Sequence, residues 1–340
     1  RLDGAGSAAF PFAEQLFNRV PVALKAGEPY PCQALLVYDA NPLFSMPGSE
    51  MVREALQQIP FIVSFASHMD ETAMIADIIL PNLSHLERWE DVPVTEGFHR
   101  PMLGMAQPVV DPQFDTMHAG DTLLQLAAAL GDTVAASLPW ENYEACLKEA
   151  LSPHWAELED RGYWIDENFT PDDWSLAFPT ASGKFDFAIS GADLKTLFAM
   201  TAPQGDNGSY NLKLIPYDSV RIANGAVGSP PFLIKIVSDK VLKGKTVLVE
   251  VNPETARAAG FGEGDQAVLK TPLGDAAVRV HLSDGLMPGL VAIPRGLGHT
   301  AYDRYLAQKG VNANDLIGSV EDAASGLDAT WGILASLVKA

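Results

Sequence analysis

Between Ala34 and Asp91 short apolar runs alternate with a helix-like segment, and each run ends in a polar turn. A first strand is predicted over Ala34 to Tyr38 and stops at Asp39-Ala40-Asn41-Pro42. A helical segment follows. A second strand, Phe61 to Phe65, runs into Ser67-His68-Met69-Asp70-Glu71-Thr72, and a third, Asp77 to Leu80, ends in Pro81-Asn82. Strands that alternate with helices in this way make an open parallel sheet, whose ligands sit beyond the carboxyl ends of the strands. The pattern assigns residues 34–135 to a Rossmann-like α/β domain that ends in a helix from Ala119 to Leu130, stopped by Gly131. Within it, Glu96 to Asp115 reads as an extended surface segment broken by Pro101, Pro108 and Pro112. Residues 1–33 form a lead-in with a predicted helix from Phe12 to Leu24, and 136–204 an irregular, Trp-rich connector with a helix from Trp140 to Leu151.

From Asn211 the rhythm changes to short strands separated by tight turns. Leu212 to Ile215, Val247 to Val251, Gln266 to Lys270, Ala276 to His281 and Leu290 to Ile293 read as strands, and Pro272-Leu273-Gly274-Asp275 as a hairpin turn. Strands at this density over 205–340 predict a small closed barrel rather than a second open sheet. There are no internal repeats and no low-complexity tracts.

Composition narrows the chemistry. A net charge of −20 over 340 residues leaves no basic stripe to neutralise phosphates, which excludes nucleic acid as a partner. An acidic surface suits cationic partners such as a Lys-rich electron carrier. Cys32 and Cys146 belong to no Cys-x-x-Cys pair, so they hold neither an iron–sulfur cluster nor a four-ligand zinc on their own. A disulfide and two buried thiols both remain open. No run of eighteen apolar residues occurs, so no membrane-spanning helix is predicted. The seven histidines show no His-x-x-His or His-x-x-x-His spacing, and no metal site made by this chain alone is expected.

Several ordered motifs carry a resemblance. Asn41-Pro42 after the first strand, the Ser64…Glu71-Thr72-Ala73…Ala76-Asp77…Leu80-Pro81 run and Glu87-Arg88-Trp89-Glu90-Asp91 form one group. Pro179-Thr180-Ala181-Ser182-Gly183-Lys184-Phe185-Asp186-Phe187, Leu214-Ile215-Pro216-Tyr217, Val249-Glu250-Val251-Asn252-Pro253-Glu254-Thr255-Ala256 and Gly310-Val311-Asn312-Ala313-Asn314-Asp315-Leu316 form another. Together they resemble the C-terminal half of the molybdopterin oxidoreductases, the dimethyl-sulfoxide-reductase superfamily. The resemblance implies a Rossmann-like parallel sheet followed by a double-psi-type β-barrel. It also implies that the cluster-binding and metal-binding segments lie upstream, and that the chain folds against that upstream half through the 41–46, 67–72 and 221–232 loops.

In this superfamily a pterin guanine dinucleotide lies against positions matched here by Asn41, Pro42, Ser64, Asp70, Glu71, Thr72, Asn224, Asn252, His299 and Asn312. The residues also admit a plainer reading, with Asn41-Pro42 as a turn and Asp70-Glu71-Thr72 as the cap of a helix from Thr72 to Ala76. The loop from Arg221 to Phe232 has small residues and prolines where relatives place pterin contacts. Glu87 to Val94, Pro108 to Asp121, Pro139 to Tyr143 and Ser229-Pro230-Pro231-Phe232 resemble the molybdopterin-like subunits of menaquinone reductase complexes. That resemblance implies a non-catalytic subunit with no cofactor in this chain. Its partners would be the upstream half, an iron–sulfur subunit, a multihaem cytochrome c and an integral membrane subunit, on the periplasmic side of the membrane. The alternative it leaves open is the C-terminal half of a catalytic enzyme. There, molybdopterin guanine dinucleotide with Mo or W would be shared with the upstream half, and a small sulfur compound or oxyanion would be the substrate.

Overall fold

The computed structural model describes residues 1–11, 13–93, 98–171, 178, 180–185, 202–222, 225, 231–322, 325–329 and 332–340. The chain divides into two compact units, Arg1–Ile79 with Asp193–Ala340, and Leu80–Ala192. These divisions differ from the sequence boundaries at 135 and 205.

The first unit opens with helix α1, Val20–Ala26. Its start corrects the expected helix from Phe12: Pro21 lacks an amide proton and clashes with the preceding turn, so it is tolerated only in the first turn. Strands β1 (Leu35–Val37), β2 (Ile62–Ser64) and β3 (Ile78–Ile79) then pair in parallel, in the order β1-β2-β3. Between the first two run the short helix α2, Pro42–Ser45, and α3, Ser49–Leu56. Leu24, Val37, Val52, Ala55, Leu56, Ile59 and Ile62 form the core under one face of this sheet. On the opposite face Leu36, Val63 and Ile78 stand side by side in register.

After β3 the chain enters the second unit, where the pairing turns antiparallel. Strand β4 (Glu90–Pro93) pairs with β5 (Met102–Ala106), and β5 pairs with β6 (Tyr163–Ile165). Part of the stretch expected to be extended surface is thus the middle strand of a sheet. Helices α4 (Ala119–Leu130), α5 (Asp132–Ser137), α6 (Tyr143–Ala150) and α7 (Trp155–Arg161) complete the unit. Helix α4 has the predicted bounds and ends at Gly131. The helix expected from Trp140 starts at Tyr143 because the Asn142 side chain accepts the Ala145 amide and caps it there. Met105, Leu147, Trp155 and Leu158 form this unit's core.

The remainder of the first unit is the barrel, with β7 (Leu212–Tyr217), β8 (Leu242–Lys243), β9 (Thr246–Val251), β10 (Gln266–Lys270), β11 (Asp275–Leu282), β12 (Leu290–Pro294) and β13 (Ile333–Lys339). The ring order is β11-β10-β13-β7-β12-β9, and β9 closes it by pairing in parallel with β11. Six strands therefore form a closed barrel, and β8 adds only a hairpin to β9. All five predicted strands are present, and the hairpin at 272–275 joins β10 to β11 with Lys270 opposite Asp275. Alternation along β11 sends Ala276, Val278 and Val280 inward. They meet Leu214, Val249, Val251, Leu269, Val291, Ile293 and Ile333 in a continuous core.

Candidate functional site

The carboxyl ends of β1 and β2 meet the barrel loops inside the first unit. At the end of β1 the chain turns through Asp39, whose φ of 43° is left-handed, and Pro42 opens α2. Asn41 stands at the N-cap position but its side chain does not cap. It reaches across to the loop after β2 instead. Its Nδ2 donates to Glu71 Oε2 at 2.8 Å, and its Oδ1 accepts from the Thr72 hydroxyl at 2.8 Å and the Thr72 amide at 3.2 Å. The Thr72 Oγ1 in turn accepts the Leu43 amide at 3.3 Å. Asp70 does the capping: its Oδ1 accepts the Ala73 amide at 2.7 Å and starts a 3-10 turn, Ala73–Ile75. The expected helix from Thr72 to Ala76 is that single turn, ended by the extended backbone of Ala76 (ψ 145°) that leads into β3.

The barrel supplies the other half of this knot. Glu71 Oε1 accepts the backbone amides of Thr300 at 2.7 Å and Ala301 at 3.0 Å. His299 Nδ1 lies 3.1 and 3.2 Å from the two Glu71 oxygens. Burial alone would raise the Glu71 carboxyl. The hydrogen bonds from His299, Asn41 and the Ala301 amide outweigh it and hold the group at about 2. Glu71 is therefore a carboxylate that only accepts, so His299 Nδ1 carries the proton. The His299 ring stacks on Phe44 at 3.6 Å and meets Tyr302 edge-on at 4.9 Å. Its Nε2 is buried with no hydrogen-bond partner.

A second clasp lies alongside. Asn312 Nδ2 and Asn314 Nδ2 both donate to the Phe44 carbonyl, at 3.0 and 2.7 Å. The Gly48 amide donates to the Asn314 and Ile317 carbonyls, and the Tyr302 amide to the Met69 carbonyl. Ser49 Oγ hydrogen-bonds the Asp315 carboxyl. Gly298 permits the approach: at φ +87°, a Cβ there would overlap the backbone of Val311 and Asn312.

The structure thus brings together Asn41, Pro42, Asp70, Glu71, Thr72, His299 and Asn312. Ser64 is buried at the end of β2, its hydroxyl accepting the Ala66 amide. Asn252 is elsewhere in the barrel, capping the Pro253–Ala258 helix through the Glu254 amide and donating to the Leu286 carbonyl. Asn224 lies outside the described residues, as do Ser229, Pro230 and the ends of the 179–187 connector. Of the 41–46, 67–72 and 221–232 loops expected to meet an upstream half, Asn41, Leu43, Phe44 and residues 70–72 are buried inside this unit, whereas Ser67, His68 and Met69 are exposed.

Sequence reasoning missed Phe44, Asn314 and Tyr302. An Asn-x-Asn spacing at 312–314 was the available signal for Asn314; nothing local marks the other two.

A dinucleotide needs donors that face its phosphates. The donors of Asn41, Thr72, Thr300 and Ala301 all end on oxygens inside the knot. Asp70 and Glu71 are buried carboxyls, and burial together with the neighbouring Glu71 charge pushes Asp70 up against the pull of the Ala73 amide. This knot does not fit a pyrophosphate. Among the described residues no group of three or more His, Cys, Asp or Glu could hold a metal ion. Cys32 and Cys146 are free thiols at intermediate exposure. No helix among the described residues is long and apolar enough to cross a membrane.

Residues 10–127 match the family described as molybdopterin oxidoreductase, and 237–329 the molydopterin dinucleotide binding domain. The chain is 31% identical over 318 residues to the menaquinone reductase molybdopterin-binding-like subunit of Nitratidesulfovibrio vulgaris, covering 94% of this chain and 43% of that protein. It is 25% identical over 393 residues to the arsenate respiratory reductase molybdopterin-containing subunit of Chrysiogenes arsenatis, covering 93% of this chain and 46% of that protein. The chain spans less than half the length of these curated relatives. Acetylene hydratase from Pelobacter acetylenicus shares the fold, with a TM-score of 0.74 at 20% identity over 96% of this chain and 47% of that one. With a parallel sheet and a closed barrel joined at the motif residues, and with both family matches in order along the sequence, the chain belongs to the molybdopterin oxidoreductase family.

Proposed function

We propose that this chain is part of a molybdopterin-like subunit that holds no pterin of its own. It serves as a packing element in a periplasm-facing, membrane-bound complex that carries electrons from a multihaem cytochrome c to menaquinone. The observation that carries this reading is the knot itself. The residues after β1 and β2 that would face a dinucleotide use their donors on one another, around a carboxylate held at about 2. An anionic pyrophosphate beside that carboxylate would meet repulsion where it needs charge-assisted donors. The similarity to a menaquinone reductase subunit over 94% of the chain supports the same assignment. The partners are the upstream half of the subunit, an iron–sulfur subunit, the cytochrome and an integral membrane subunit. The net charge of −20 favours a cationic cytochrome.

A second reading is favoured by the match of 237–329 to a dinucleotide binding domain and by the likeness to an arsenate reductase subunit. In it the chain is the C-terminal half of a catalytic subunit, and its pterin is held by upstream residues and the 221–232 loop. Elemental analysis of the intact complex decides between them. Iron without molybdenum or tungsten is expected; either metal near one atom per subunit overturns the proposal.

A further inference from the structure

The second unit holds a cavity of about 190 Å3 where the turn before β4 meets the first turns of α4 and α6. Three carboxylates line it: Glu87, Asp121 and Glu144. Glu87 is fixed by the Ser84 and Gln113 amides, at 2.9 and 2.8 Å, which hold its carboxyl below the ordinary range. Asp121 uses Oδ1 on the Tyr143 amide at 2.6 Å. None of the three is in an ion pair with a described residue. Arg88 also lines the cavity, but its guanidinium is bound to both oxygens of Glu90 and to the Leu83 carbonyl. His118 adds no charge: its Nδ1 accepts the Gly120 amide at 2.9 Å, so the ring is neutral. Lys148, the first Lys or Arg after Arg100, holds its ammonium over the Trp155 ring. The rings of Trp89, His118 and Tyr143 add apolar wall, the last two stacked at 4.4 Å. Asp121 and Glu144 stand in first helical turns, where acids complement the helix dipole. That role calls for neither Glu87 nor a cavity.

We propose that this cavity receives a protonated primary amine on an alkyl stem, with the stem against the Trp89 and Tyr143 rings and the ammonium facing Glu87, Asp121 and Glu144. Carboxylates without a cationic partner, set beside aromatic rings, attract a cation through their charge and through the ring quadrupole. The same carboxylates repel an anion. Among the described residues no three His, Cys, Asp or Glu could hold a metal ion, whereas an ammonium on a flexible stem needs nearby charge rather than a coordination shell. Size narrows the ligand further. Drug-sized molecules take pockets of about 300–1,000 Å3, so this one suits a single side chain or a small amine. The amine is supplied by a lysine of a docking protein or by a free diamine, and a net charge of −20 draws cations of either kind. The site uses no residue of the Glu71 knot, so it stands under either reading of the pterin.

Carbodiimide coupling and ligand-observed NMR on the intact complex test it. A carbodiimide joins a carboxylate to an amine in direct contact, and mass spectrometry of the digest identifies the pair. A link from Glu87, Asp121 or Glu144 to a lysine of another protein is the result expected of a lysine source. With a free amine as the source no such link forms, and n-butylammonium titrated at fixed salt binds saturably while n-butanol does not. Glu144→Gln and Asp121→Asn, each close to the original in size and shape, are then expected to weaken that binding at least about fivefold. Four results overturn the inference: a link to this chain's own Lys148, n-butanol binding as tightly as n-butylammonium, affinity unchanged in either variant, or neither a link nor saturable binding.

Discussion

Glu71→Ala removes the acceptor of four hydrogen bonds at once. Asn41 Nδ2, His299 Nδ1 and the amides of Thr300 and Ala301 would be left buried without a partner. A single buried donor stranded in this way costs about 1–3 kcal/mol. These four share one acceptor and relax together, so the expected loss is about 3–5 kcal/mol, as when one member of a buried charged pair is removed. Glu71→Gln keeps a carbonyl for the two amides but turns an NH2 toward donors already there, for a loss of about 2 kcal/mol. The pH dependence follows from the depressed carboxyl. Its folded value, about 2 against an ordinary 4.5, adds stability that is fully present above about 4.5 and is lost as pH falls toward 2, about 3 kcal/mol in all. The assay is urea denaturation of wild type and both variants from pH 7 down to pH 3. Hydrogen exchange of the peptides around Thr72 and Thr300 serves as the local probe. The gap between wild type and Glu71→Gln is expected to narrow below pH 4.5. A cost under about 1 kcal/mol for Glu71→Ala, or a gap that does not change with pH, would refute the role given to the knot.

Gly298→Ala forces a Cβ into the Val311–Asn312 backbone at a left-handed φ, and should cost about 4 kcal/mol or more, read as loss of the cooperative melt. Asn142→Ala removes the cap of α6 and should lower local stability by about 1 kcal/mol, seen as faster amide exchange over 143–150. Leu214→Ala hollows the barrel core at a fully buried position and should cost about 2–5 kcal/mol by denaturant titration.

Where alternation was clear, the chain could be read directly. Strands β7, β10 and β11 alternate inward and outward positions, β9 and β12 stand out as short apolar, β-branched runs, and the turn at 272–275 states its own hairpin. Strand β13 was not expected; Ile333-Leu334-Ala335 is buried at consecutive positions between β10 and β7, with no alternation to mark it. Strands β4 and β6 are too short to show a period, and only β5 between them makes them a sheet. The helix expected from Phe12 to Leu24 would run through Pro21, which is tolerated only in a helix's first turn, where it stands in α1. Among the site residues, motif position pointed to Asn41, Glu71, Thr72, His299 and Asn312 one by one. That Glu71 accepts from His299 could not be read, because they stand 228 residues apart and no local pattern encodes the pairing.

That separation has a cost in time. The first unit is assembled from two stretches of chain with residues 80–192 inserted between them. During synthesis Glu71 leaves the ribosome 228 residues ahead of His299, an interval of about 10–45 s at ordinary elongation rates. For that interval the nascent sheet carries a carboxylate destined for burial with none of its barrel donors. Synthesis, rather than collapse, sets the earliest moment at which this unit closes. A ribosome stalled before residue 299 holds a sheet that cannot yet lock.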